Sequence, residues 1–125
     1  MTGPKVSSIE KLLRASSSDE ATLLFPIPDP AFGFHCQQSV EKLYKALLVA
    51  RTGTHPFTHD LLSLRKALEK TGLILPVCSF PIERLVEYAG DARYDDPIPL
   101  SDNDRIVMQD CIKVLREFVE RQVKP

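Results

Sequence analysis

The chain has 125 residues, with 16 basic and 17 acidic side chains and a formal net charge of −1. This length forms one domain, residues 1–125, with a core that needs no metal or disulfide. The charge balance excludes a broadly basic nucleic-acid-binding surface, so no DNA partner is expected. No apolar run approaches the ~20 residues of a membrane-spanning helix. We therefore expect a cytoplasmic protein without membrane association.

The three cysteines are few and widely spaced. They are Cys36, Cys78 and Cys111, and none belongs to a CxxC pair. Free buried thiols in a reducing compartment are the expected state for such a set.

The first predicted helix begins near Val6 and stops before Pro26. Its apolar stripe is Ile9, Leu12, Leu13, Ser16, Leu23 and Leu24. The serine run 16–18 weakens it, because serine side chains compete for backbone hydrogen bonds. Ser17 and Glu20 have the spacing of a capping box, which would restart the helix. One continuous helix and two shorter ones both remain open on these residues.

The second predicted helix has two contrasting sides. Asp29 is the predicted N-cap before Pro30, and the helix runs to about Thr52 with Gly53 as C-cap. One side carries Cys36, Val40, Leu43, Leu47 and Ala50. The other, expected to be solvated, carries His35, Gln38, Glu41, Lys42 and Lys45. Apolar residues also project there, which indicates contact with a fifth helix or a second copy: Phe34, Leu48 and Val49.

Three further predicted helices complete the chain. Thr58 is the predicted cap of a third helix that ends at Gly72 and directs Leu61, Leu64 and Leu68 inward. A fourth helix opens around residues 79–81 and buries Ile82, Leu85, Val86 and Ala89. Ser101 and Asp104 form a capping box for a last helix, whose apolar face is Val107, Met108, Cys111, Ile112, Leu115, Phe118 and Val119. No segment alternates with period two, so the prediction is an all-α, antiparallel up-and-down bundle of four to five helices.

Arg93 is the principal candidate for chemistry. It falls on the apolar face of the fourth helix, where a guanidinium needs an acidic partner, water or an anion. Three roles stay open for it: it caps the carbonyls of the last helical turn, pairs with Asp95 or Asp96, or clamps a phosphate. His59 is expected one residue inside the third helix, fixing its start. No spacing of metal ligands, nucleophile elbow or glycine-rich phosphate loop is present, so no metal, cofactor or catalytic residue is predicted.

Three segments resemble the signature of HEPN domains, a family of small helical proteins. They are FHCQQSVEKLYKALL at 34–48, THDL at 58–61 and ARYDD at 92–96. The resemblance favours a continuous first helix. It implies a homodimer with central helices near the two-fold axis, with Gln38, Glu41, Lys42 and Lys45 at or near the cleft. It also implies a nucleotide, an RNA end or a partner chain as ligand, and a companion nucleotidyltransferase as in toxin–antitoxin pairs.

Some HEPN proteins are metal-independent ribonucleases marked by an arginine followed, after four to six residues, by a histidine. This chain departs from that pattern, because Ile98, Pro99 and Leu100 stand where a histidine should follow Arg93. The leading prediction is therefore a non-catalytic binding module. The predicted ligand-binding residues are Arg93, Gln38, Glu41, Lys42 and Lys45, and the predicted dimer contacts are Phe34, Leu48 and Val49. The alternatives are a ribonuclease toxin with an atypical site and a plain helical oligomerisation domain.

Overall fold

The computed structural model describes residues 4–89 and 99–124. Within these ranges the structure is five helices without a strand, which confirms the all-α prediction. They are α1 Pro4–Thr22, α2 Asp29–Thr52, α3 Leu61–Lys70, α4 Ile82–Val86 and α5 Asp102–Val123. In the part of the chain described, none of them has the length and apolar character needed to cross a membrane.

Helix α2 is the centre of the fold, because it contacts each of the other four helices. Its buried residues extend from Phe32 to Val49 and occupy nearly every angle around the helix axis. An amphipathic helix packs along one face only. α2 is instead enclosed, so its polar residues must find partners inside the protein.

Helices α1 and α2 are antiparallel, because Ser16 lies against Ser39 while Asp19 lies against the earlier residue His35. The Ser16 hydroxyl lies 2.8 Å from that of Ser39 and donates to the Ser39 carbonyl at 3.0 Å. These bonds join the Ser16 side chain to α2. Helix α1 is continuous through the serine run 16–18. It ends at Thr22, so Leu24, predicted in the apolar stripe, is 79% exposed.

Helix α3 runs in the same direction as α2. Gly53, at φ 90°, ends α2 in the left-handed region, where glycine carries no Cβ penalty. The following segment, residues 54–60, is not helical and contains Pro56. It brings His59 back to Glu41, while Thr71 after α3 lies beside Arg51 at the end of α2. The connection between α2 and α3 therefore runs back along α2 and is not a short turn.

Helix α5 also follows the direction of α2. Near its start, Arg105 bonds to Asp29 at the start of α2, and further along Arg116 bonds to Ser16, which faces Ser39. These contacts show that α1 is antiparallel to α2 and to α5, as expected for an up-and-down bundle. The short fourth helix buries Ile82 and Leu85 but only partly buries Val86; it ends there, so Ala89, predicted in this helix, lies after it and is partly buried.

Two predicted N-caps are wrong by one or two residues. Asp29 is the first residue of α2; its carboxylate bonds to Arg105 and to the Leu100 amide, and these contacts lower its pKa. Asp60 caps α3 by accepting from the Leu62 amide, while the Thr58 hydroxyl accepts from the Asp60 amide. The capping box of Ser101 and Asp104 is confirmed.

Gly33 allows Tyr88 to pack directly on the backbone of α2. A Cβ at Gly33 would lie 2.2 Å from a ring atom of Tyr88, far inside van der Waals contact. The Tyr88 ring is buried at this point, with 2% of the residue exposed. Glycine here thus serves close packing between α2 and the chain that follows α4.

The prediction of three free thiols is wrong. Cys78 and Cys111 form a disulfide across a Cα–Cα distance of 5.4 Å, which joins the segment after α3 to α5. Cys36 is the buried free cysteine. Spacing along the chain does not report spatial distance, so the wide separation of these residues was no guide to pairing.

We expect removal of the disulfide to destabilise the oxidised protein measurably. The bond closes a loop with a sequence separation of 33, and a loop of that size corresponds to about 3–4 kcal/mol of unfolding free energy. Urea denaturation of Cys111→Ser should show this loss without reductant and a much smaller difference with reductant. Reaction of three thiols per chain, rather than one, in denatured unreduced protein would contradict the pairing.

Candidate functional site

Glu41 is a buried carboxylate at the centre of a polar cluster. The residue is 3% exposed. Its oxygens lie 3.1 Å from the Lys45 ammonium and 3.1 Å from His59 Nδ1, and Gln37 Nε2 approaches at 3.4 Å. A charge out of contact with water is tolerable only when it is paired in this way. We call Gln37, Gln38, Glu41, Lys45 and His59 the Glu41 cluster.

His59 is the exposed member of the Glu41 cluster. Its side chain is 80% exposed, although its Nδ1 bonds to the buried carboxylate. An ionised carboxylate only accepts hydrogen bonds, so Nδ1 carries the hydrogen and Nε2 is left for another contact. The His59 carbonyl also accepts from Gln37 Nε2 at 3.1 Å, which anchors the residue at its backbone.

His59 does not lie inside α3, as predicted, but before its first residue. Its position depends on α2 rather than on the start of α3, because Glu41 and Gln37 hold both its ring and its carbonyl. Gln38 completes the group by donating to the Gln37 side-chain oxygen at 2.8 Å.

A second polar group joins α1 to α2 beside the Glu41 cluster. Asp19, which is 8% exposed, accepts from Lys42 at 2.5 Å and from His35 Nδ1 at 2.9 Å. The side chains of Lys42 and His35 keep 24% and 29% of their surface exposed. We call these three residues the Asp19 cluster.

The structure brings four of the predicted ligand-binding residues onto one side of α2: Gln38, Glu41, Lys42 and Lys45. The prediction that this side is solvated is wrong for Glu41 and Lys45, which are 3% and 7% exposed. His59, in the segment between α2 and α3, covers Glu41. The hydropathy pattern of α2 alone cannot predict this contact. Gln38 and Lys42 remain partly exposed.

The three predicted dimer contacts differ in how far they are buried within the single chain. Leu48 and Val49 are 3% and 2% exposed within the single chain. Contact with other helices of the same chain, one of the two expected alternatives, therefore accounts for their burial, and their role as dimer contacts stays a prediction. Phe34 is partly exposed and lies edge-on to His35, with ring centroids 5.4 Å apart. Arg93 lies outside the described residues together with its predicted acidic partners, and its role stays a prediction.

Asp19 and Gln37 also belong to the site, although neither was predicted from the sequence. Asp19 follows the predicted apolar residue Leu12 by seven positions, so it shares the inward side of α1. That position was a usable signal for a buried carboxylate in need of partners. Gln37 offers no comparable signal, because its partner His59 is 22 residues away. The described residues contain no grouping of three or more His, Cys, Asp or Glu that could hold a metal ion.

We expect Glu41→Gln to lower the free energy of unfolding by about 3 kcal/mol, because it leaves the buried Lys45 ammonium without a carboxylate. Lys45→Met combined with Glu41→Gln should recover part of this loss, since no unpaired charge is then buried. Urea denaturation of the single and double variants measures both effects. The matched control is Glu10→Gln on the exposed side of α1, where little change is expected. A Glu41→Gln variant as stable as this control would contradict the buried pair.

Comparison with known families supports the resemblance described above. The family model of the HEPN domain matches residues 30–124, which include α3, α4, α5 and all of α2 except its first residue. Comparison with curated proteins and with solved structures gave no match. Because the family model covers well over half of the 125 residues, the chain belongs to the HEPN domain family.

Proposed function

We propose that this protein is a homodimeric HEPN module that binds the phosphate of a nucleotide or an RNA end beside the Glu41 and Asp19 clusters. The observation that carries the proposal is His59, an 80% exposed imidazole held by a 4% exposed carboxylate side chain. A donor held in place before binding loses little conformational freedom when the ligand arrives. The companion nucleotidyltransferase and the toxin–antitoxin setting stay predictions from the family resemblance.

The charges around the site favour a single phosphate over a long nucleic-acid backbone. Lys45 is balanced by Glu41, and Lys42 is balanced by Asp19. With neutral imidazoles the two clusters therefore carry no net charge. Recognition depends on the directed donors of Lys42, His35 and His59, each of which keeps part of its surface exposed.

The solvent-facing strip of α2 supports pairing with a second copy. Ala31, Phe34, Gln38 and Lys42 are partly exposed and follow one another at helical spacing. HEPN domains commonly dimerise, and the resemblance implies that their central helices lie near the two-fold axis. A second copy against this strip would bring the Asp19 clusters of the two protomers towards a shared cleft.

A specific contact also favours the alternative of a metal-independent ribonuclease with an atypical site. Glu41 bonds to His59 Nδ1 at 3.1 Å and so directs Nε2 away from the carboxylate. An imidazole oriented in this way can accept a proton from a ribose 2′-hydroxyl. The missing histidine after Arg93 keeps this activity second to binding.

Phe34→Glu should convert the dimer to a monomer, because it places a carboxylate within the proposed contact. Sedimentation velocity at tens of micromolar, a range chosen for a dissociation constant of about 1 μM, measures the change. Ile74→Glu is the matched control, since Ile74 is 88% exposed and lies outside α2. A monomeric wild type, or a dimer that Phe34→Glu leaves intact, would refute this mode of assembly.

His59→Ala should weaken binding of ATP or of a 5′-phosphorylated RNA by about tenfold, the effect of losing one hydrogen bond to a charged group. Titration calorimetry with both ligands, and with the same RNA bearing a 5′-hydroxyl, separates phosphate recognition from other contacts. His55→Ala is the matched control, because His55 lies in the same connection and its Nδ1 approaches the Pro56 carbonyl instead.

The same samples, incubated with RNA in the absence of metal, decide between binding and cleavage. The proposal expects intact RNA. Cleavage that disappears in His59→Ala would establish the ribonuclease instead. If neither ATP nor the 5′-phosphorylated RNA binds at millimolar concentration, the proposed phosphate site is wrong.

A further inference from the structure

A cavity of about 680 Å³ lies between α2 and the helices α3, α4 and α5. The segment that follows α3 forms one wall, and the disulfide partners Cys78 and Cys111 both line the space. None of the lining residues belongs to the Glu41 or Asp19 cluster. The cavity is therefore separate from the proposed phosphate site.

The size and walls of the cavity suit a small apolar molecule. Cavities that hold such ligands measure about 300–1,000 Å³ and are lined mainly by hydrophobic side chains. The deep walls here include Val40, Leu85, Met108, Ile112 and Leu115, which are all buried.

Part of the rim of the cavity is also apolar although it faces solvent. Ile74 and Val77 are 88% and 95% exposed, and Val114 is 48% exposed. These residues continue the apolar part of the lining outward, beside a charged part formed by Arg65, Glu69 and Glu83.

Tyr44 is the polar group that points to a ligand. The residue is 3% exposed and lines the cavity, yet its hydroxyl makes no hydrogen bond to another described residue. Among the described residues, no fully buried side-chain nitrogen or oxygen lacks a partner. The Tyr44 hydroxyl therefore reaches the space of the cavity. Burial raises the pKa of Tyr44 to about 12, so the group is a neutral phenol that both donates and accepts.

The charges near Tyr44 do not favour an anionic ligand. Arg65 is already paired with Glu83 through a 2.7 Å contact, and Glu69 also lines the cavity. One guanidinium and two carboxylates leave an excess of negative charge. The group that meets the tyrosine is therefore best uncharged.

We propose that this cavity binds a small, uncharged, largely apolar molecule through one hydroxyl, carbonyl or amide group that hydrogen-bonds to Tyr44. The apolar walls hold the body of the molecule, and Tyr44 sets its orientation. This site is independent of the proposed phosphate site, since the two share no residue.

Fluorescence titration of the oxidised protein with the neutral dye Nile red tests the proposal. The wild type should bind one dye per chain saturably, and 1-octanol should displace it. Tyr44→Phe removes only the hydroxyl and should weaken displacement by octanol two- to tenfold, the range for one neutral hydrogen bond. Val77→Asp should weaken dye binding by adding charge at the rim.

Phe57→Asp is the matched control, because Phe57 is fully exposed and does not line the cavity. It should leave dye binding unchanged. Dye binding that is not saturable, or that Phe57→Asp weakens as much as Val77→Asp does, would overturn the site. Equal octanol affinity in Tyr44→Phe would remove the role of the hydroxyl, and tighter displacement by octanoate than by octanol would overturn the neutral ligand class.

Discussion

The fold depends on the enclosure of α2, whose polar side chains must therefore be satisfied within the protein. Each of the other described helices contacts α2, and its residues are buried on nearly all sides from Phe32 to Val49. Glu41 experiences this constraint most strongly, because its carboxylate lies in the interior with Lys45 and His59 as partners. A buried carboxylate without such partners would be strongly unfavourable.

The enclosure gives the two sides of α2 different chemistry. On one side, Glu41 bonds to His59, and Asp19 bonds to Lys42 and His35. Each of these three basic side chains keeps part of its surface exposed. On the other side, Cys36, Val40 and Tyr44 face the cavity between α2 and the helices α3, α4 and α5. Polar residues that stabilise the centre of the fold thus also orient donors towards solvent, which links the stability of α2 to the proposed recognition of phosphate.

The helices could be predicted from the sequence, because apolar periodicity and the Ser101 capping box are local signals. The burial of Glu41 could not, since a single helical pattern reveals one packed face and not a helix surrounded by neighbours. His59, which covers Glu41, is 18 residues away from it, and the distances along the chain from Ser16 to Ser39 and from Cys78 to Cys111 are 23 and 33 residues. Such pairings are created by the tertiary fold, so they left no signal in the spacing.

The tautomer of the neutral His59 ring depends most directly on its contact with the enclosed Glu41. Nitrogen-15 chemical shifts of the His59 ring, measured by NMR at a pH where the imidazole is neutral, report which nitrogen carries the hydrogen. We predict the Nδ1–H form in the wild type, because Nδ1 donates to Glu41, and loss of that preference in Glu41→Gln. A neutral wild-type His59 with its hydrogen on Nε2 would show that the Glu41 carboxylate does not hold the ring through Nδ1.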